Sequence, residues 1–253
     1  MSKIKYQKPT INKIDFAMAS KYGSPMKTQK IRSEIDGVKV SDLTQKYGSP
    51  LFVFSQRKME ELYHNLHSAF SSRYPDVTFG WSYKTNYLNE ICKVYHDLGS
   101  IAEVVSEFEY QKARALGIEG KDIIFNGPYK PYADLKIAVR EGAKIHVDNL
   151  FELDDLEKIA DELNMKIPVA IRINMDTGIY PQWSRFGFNY ESGEAYEAVK
   201  RIYDGGKVYL NGLHTHIGTF MLDSNAYKVA TIKIMQLKEQ VERDFKSQID
   251  YID

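Results

Sequence analysis

Val77-Thr78-Phe79-Gly80-Trp81-Ser82-Tyr83-Lys84 alternates a large apolar residue with a small or polar one along its whole length. Side chains of a strand point to opposite faces with a period of two. Val77, Phe79, Trp81 and Tyr83 therefore share one face, and Thr78, Gly80, Ser82 and Lys84 share the other. A bulky face turned to helices and a small-residue face turned to an enclosed interior describe a stave of a barrel. Lys84, the last inward residue, then stands at the barrel mouth, where such folds gather catalytic groups. The plain alternative is a lysine that has left the strand for solvent.

Working outward, short β-branched or aromatic runs recur at 51–54, 101–106, 123–126, 144–148, 167–174, 208–217 and 249–253. With 77–84 they make eight candidate strands. Helix-length amphipathic segments such as 58–70, 131–141, 150–163 and 227–246 separate them, each long enough to cross between parallel strands. The pattern predicts an α/β chain folded as a (β/α)8 barrel over residues 35–253, behind an irregular arm at 1–34. A doubly wound open sheet would carry a Gly-x-Gly-x-x-Gly turn or a Walker-type loop, and neither occurs. The last candidate strand reaches the chain end, so the barrel is expected to lack its final helix.

Lys+Arg and Asp+Glu both number 34, so no net field exists to hold a nucleic acid or an anionic membrane. Hydrophobic residues at 43% exclude a disordered chain. The single cysteine, Cys92, can form neither an internal disulfide nor a multi-thiolate metal site. No apolar run of membrane-spanning length or signal-peptide form occurs. A soluble, cytoplasmic protein with a small-molecule partner is the expectation.

In Gly212-Leu213-His214-Thr215-His216-Ile217-Gly218-Thr219 the period of two puts both histidines on the inward face. Two imidazoles with a carboxylate could hold zinc and activate water, with His146, Asp148, Asp250 and Asp253 as further donors. The strand at 167–174 offers Arg172 and Asn174 but no histidine, which leaves that constellation incomplete. Arg185, in the connection holding Trp183-Ser184-Arg185-Phe186-Gly187, could clamp a carboxylate or phosphate. The loops Ser106-Glu107-Phe108-Glu109 and Asn126-Gly127-Pro128-Tyr129-Lys130 admit ordinary capping and turn chemistry.

Taken in order, Tyr83-Lys84-Thr85-Asn86, Glu103 to Glu109, Phe125 to Lys130, His146 to Asn149, Ser184 to Gly187 and Gly212 to Thr219 resemble the fold-type III pyridoxal-phosphate decarboxylases, those acting on diaminopimelate in particular. The likeness runs from about Ile35 to Asp253. It implies pyridoxal 5'-phosphate as cofactor, carried as a Schiff base on Lys84, and His216 against the cofactor ring. It also implies His214, Gly218, Thr219 and Ser106 near ring and phosphate, Glu103 as an acidic group near the lysine, and Arg185 and Lys130 towards an amino-acid substrate. The reaction implied is loss of the α-carboxylate. A racemase, a metal-dependent barrel hydrolase using His214 and His216, and a non-catalytic cofactor-binding barrel are the other readings.

Two features depart from the family. Glu107 and Phe108 stand where two small residues are usual, which suggests a crowded pocket, and the connection from Asn174 to Ser184 is short, so the substrate is not carried over. The family continues past this point into a glycine-rich phosphate loop and a second β-rich domain that completes a homodimer. Weak cofactor retention and little turnover are therefore expected of the 253 residues alone.

Overall fold

A computed structural model describes residues 31–182 and 184–253, so the expected arm lies outside the described residues up to residue 30, as does Trp183. The chain divides between Leu51 and Phe52 into two units. In the first, β1 (Glu34–Ile35) and β2 (Val38–Lys39) pair antiparallel. Asp36 and Gly37 between them both take positive φ, at 49° and 80°, as a two-residue hairpin turn requires. α1 (Val40–Tyr47) follows and stops at Gly48.

The second unit begins with α2 (Gln56–Ser71), whose N-cap Ser55 accepts the Lys58 N–H at 3.0 Å. Next come β3 (Gly80–Ser82), α3 (Asn89–Asp97), β4 (Ile101–Val104), α4 (Glu107–Ala115), β5 (Ile123–Phe125) and α5 (Tyr132–Arg140). β6 (Lys144–Val147), α6 (Leu150–Leu163), β7 (Ile167–Asn174), β8 (Phe188–Asn189) and α7 (Glu194–Gly205) follow, then β9 (Val208–Thr215), α8 (Ser224–Phe245) and β10 (Tyr251–Ile252). The sheet runs β3-β4-β5-β6-β7-β9-β10, and every pairing in it is parallel. Helices between parallel neighbours cover the outer face of the sheet, where the buried apolar side chains of its strands pack against them.

Two expectations need correction. Residues 51–54 form no strand, so the ring has seven consecutive staves, with β3 and β10 unpaired to each other among the described residues. The apolar run has the composition of a stave, but a strand also needs a ladder partner, and residues 51–54 pair with none among the described residues. An unforeseen β8 pairs with the end of β7 instead. Residues of both edge strands, Ser82 and Tyr251 among them, line a single cavity, so the sheet curls round an interior.

The alternation in β3 holds. Phe79 meets the rings of Tyr63, His67 and Phe70 on α2 edge-on at 5.5–5.9 Å, Trp81 stacks on Tyr95 of α3 at 3.7 Å, and Tyr83 is fully buried with its hydroxyl 2.8 Å from His96 Nε2. Backbone bonds from Ile101 N–H to Phe79 and from Tyr83 N–H to Glu103 continue the pairing past both ends of the strand.

β9 breaks the simple period. Val169 pairs with Leu210 but Ala170 pairs with Gly212, so Asn211 is an inserted residue on β9. Val208 and Leu210 pack outward before the bulge and Leu213 after it. Strict alternation from Val208 would have turned His214 to the helices; the bulge turns it to the interior. Beside it, Gly212 leaves the space that the Tyr251 ring occupies, for a Cβ there would lie 2.4 Å from that ring.

Candidate active site

A cavity of about 690 Å³ opens inside the curled sheet, lined among others by Lys84, Glu103, Asn126, His214, His216 and Asp253. These groups come from five strands or strand ends, and the register explains how they meet. Ser82 pairs with Glu103 and Arg172 pairs with His214, and register partners in a parallel sheet project to the same side. Ser82 Oγ donates to Glu103 Oε2, whose other oxygen accepts from Asn126 Nδ2 at 3.3 Å. Asn126 Nδ2 also lies 3.1 Å from His214 Nε2, and His214 Nδ1 lies 2.8 Å from Asp253 Oδ2. A polar layer thus crosses the interior from β3 to β10 beneath Lys84, which is solvent-accessible at the C-terminal end of β3.

The electrostatics favour an uncharged imidazole beside that lysine. Burial, with the cations of Lys84 and Arg172 nearby, pushes His216 down from 6.5 to about 4. His146, fully buried with its ring 4.8 Å from that of His214, is pushed well below its ordinary value, chiefly by burial. Burial works against the Asp253 anion, but the His214 hydrogen bond and the surrounding imidazoles outweigh it and hold the carboxyl at about 2. Arg172 is 5% exposed, and its nearest carboxylate, Asp148, is 3.6 Å away, longer than a hydrogen bond. Its guanidinium stacks on Phe186 at 4.9 Å.

Several residues singled out from sequence lie elsewhere. Lys130 is corrected most plainly: its side chain has no exposure, its Nζ lies 2.5 Å from Glu152 and donates to the Gly127 carbonyl at 2.8 Å, so it has no atom to offer a substrate. Ser106 does not line the cavity. It is the N-cap of α4, accepting the Glu109 N–H at 3.3 Å while Glu109 reaches back to accept the Val105 N–H, one residue before the cap, in a variant of the capping box. Asn149 and Glu152 repeat the device at α6. Glu107 and Phe108 are exposed on the first turn of α4 and line neither cavity, so they do not crowd it; Phe108 meets Tyr87 edge-on at 5.7 Å.

Arg185 and Thr219 are exposed and outside the cavity lining. The Phe186-Gly187 part of the Arg185 loop is tied to β7 by Asn174, which donates to both carbonyls, and by Gly187, whose Cβ would strike the Arg172 carbonyl at 2.5 Å. Gly218, at φ +133°, lines a second, smaller cavity together with His216. Among the described residues, the cluster able to offer metal ligands is His146, His214 and Asp253, with one donor atom each within 4.8 Å. His216 is not part of it, which corrects the His214/His216 pairing expected of a hydrolase.

Asn126 is the residue that sequence reasoning passed over, since an Asn-Gly pair reads as a turn. The signal was its inward position at a strand end, on the same face as Glu103 and two residues beyond Ile124, the register partner of Glu103. No helix among the described residues is long and apolar enough to cross a membrane.

Residues 58–253 match the family model described as "Pyridoxal-dependent decarboxylase, pyridoxal binding domain". Diaminopimelate decarboxylase of Aquifex aeolicus is 31% identical over 219 residues, covering 82% of this chain and 50% of that protein. The enzyme of the same name from Archaeoglobus fulgidus is 30% identical over 220 residues, with 83% and 50% covered. A crystal structure of diaminopimelate decarboxylase from M. jannaschii in co-complex with L-lysine superposes with a TM-score of 0.77 at 26% identity, over 87% of this chain and 53% of that one. The chain spans about half the length of the relatives it matches. With a match over most of its length and a lysine and two histidines turned into one cavity, this chain belongs to the pyridoxal-dependent decarboxylase family, as the pyridoxal-binding domain.

Proposed function

We propose that this chain is the pyridoxal-binding portion of an enzyme that removes the α-carboxylate from a basic or dicarboxylic amino acid of the diaminopimelate type, with Lys84 as the amine that carries pyridoxal 5'-phosphate. The observation that carries the reading is that Lys84 opens into one cavity with His216, His214 and Glu103. The residues fit the group. A flat aromatic aldehyde bearing a phosphate asks for an accessible amine, an aromatic neighbour and backbone without a Cβ; Lys84 and His216 offer the first two in a cavity of ligand-holding size, and Gly218 the third in the smaller cavity that His216 also lines. When bound, the pyridoxal ring supplies a sink for the electron pair left by the departing carboxylate.

The chain's own residues then divide the remaining work. Lys84 supplies the nucleophilic amine. His216, unprotonated at neutral pH, presents an uncharged aromatic ring to the cavity. Ser82 and Asn126 keep the Glu103 carboxylate turned inward. Arg185, exposed on its loop, offers a positive charge to a carboxylate or phosphate oxygen, whereas Arg172 is buried beside Asp148 and Phe186, outside the cavity lining.

The test is labelling, because the chain spans only half of its relatives. Incubation with pyridoxal phosphate, borohydride reduction and peptide mass mapping should place a pyridoxyl group on Lys84, and Lys84→Ala should abolish it. A dominant mark on another lysine would sink the assignment.

A further inference from the structure

Asn126 stands just past β5, 3% exposed, between two inward groups. Its Nδ2 lies 3.3 Å from Glu103 Oε1 and 3.1 Å from His214 Nε2, and its Oδ1 accepts the Gly127 N–H at 2.8 Å. Together these contacts decide which end of the amide is which. Turned over, the amide would set its oxygen against the Glu103 carboxylate and its NH2 against the Gly127 N–H. With the NH2 facing His214, the ring nitrogen it meets must be an acceptor. Nε2 therefore keeps its lone pair, and the ring proton sits on Nδ1, aimed at Asp253 Oδ2 at 2.8 Å.

We propose that Asn126 is a positioning residue of this site: it selects the Nδ1–H form of His214 and so ties the carboxylates of Glu103 and Asp253 to opposite ends of one hydrogen-bonded chain. The inference rests on hydrogen-bond roles alone and goes beyond the decarboxylase reading.

The amide is itself held from behind. The Gly127 carbonyl receives Lys130 Nζ at 2.8 Å, and Lys130 is paired with Glu152. Gly127 has φ +124°, and a Cβ there would lie 2.6 Å from the Val105 carbonyl oxygen, so the turn is pressed against the strand beside it. The selected tautomer also closes the histidine to metals. A cation on Nδ1 would drive the proton to Nε2, against the amide hydrogens of Asn126, so His214 is committed to Asn126 and Asp253, while His146 stands outside that chain with its Nε2 3.1 Å from the Tyr251 hydroxyl.

The test is two-bond proton–nitrogen NMR on the whole chain carrying ring-15N histidine, with the His214 signals identified by their loss in His214→Gln. The expected spectrum shows the proton on Nδ1 and the lone pair on Nε2. Nε2–H in the unmodified protein overturns the proposal. In Asn126→Asp an oxygen meets the ring, and His214 should gain a proton on Nε2; in Asn126→Ala the single-tautomer signature should be lost. An unchanged His214 signature in folded variants overturns the role given to Asn126. Should neither variant fold, the spectrum of the unmodified chain still decides.

Discussion

Replacing Lys130 with methionine removes one half of a buried ion pair. The Lys130 side chain has no exposure and that of Glu152 only 5%, at an Nζ–Oε1 distance of 2.5 Å. Burial pushes Lys130 down and Glu152 up, each opposed by the other's charge. Without the lysine, the Glu152 carboxylate stays between α6 and the end of β6, held there by its bond from the Asp148 N–H at 2.8 Å. An uncompensated buried charge costs about 3–5 kcal/mol. That is a large fraction of the ~5–15 kcal/mol by which an ordinary domain is stable.

The Lys130→Met/Glu152→Gln variant removes both charges and keeps an oxygen for the Asp148 N–H, so its loss should fall about 2 kcal/mol short of the sum of the two single losses. Urea unfolding followed together by tryptophan fluorescence and far-ultraviolet circular dichroism reads the cycle, coincidence of the two probes testing two-state behaviour. A Lys130→Met variant within ~1 kcal/mol of the parent, or strictly additive singles, would refute the clamp. A substrate-contacting lysine would give that result.

Stability should also fall on mild acidification. His216 has its folded value near 4 against an ordinary 6.5, so as pH falls the unfolded chain takes the proton first, and stability is lost between about pH 6.5 and pH 4. Asp253, held near 2, keeps its contribution until still lower pH. Unfolding free energies at pH 7, 5.5 and 4 should show this slope, reduced in His216→Asn; an identical slope in the variant would assign it to other groups. Ser106→Ala should cost about 1 kcal/mol, as loss of an N-cap does, and leave pyridoxyl labelling of Lys84 intact. Lost labelling at unchanged stability would return Ser106 to the cofactor site.

Much of this molecule was legible in the chain. The alternation through residues 77–84 set which face of β3 meets the helices and that Lys84 opens inward, because strand parity is a local property of the backbone. The α6 boundaries fell at 150–163 as read, since Asn149 and Glu152 write the start into the sequence and Asn164, at φ 49°, ends the helix. What local pattern cannot carry is pairing. Residues 51–54 have the composition of a stave and form none, because a strand needs a neighbouring ladder. Lys130 and Ser106 have residue types suited to binding, yet one is spent on Glu152 and the other on a helix cap, partners visible only once the chain is folded. The two histidines show the division best. Their shared face follows from spacing alone, whereas their inward direction depends on the extra residue at Asn211, which the register against β7 imposes. Where the period runs unbroken, as in β3, the bulk of one face marks its direction; where a residue is inserted, as at Asn211, periodicity fixes only relative direction and hydrogen bonding to the next strand fixes the absolute one.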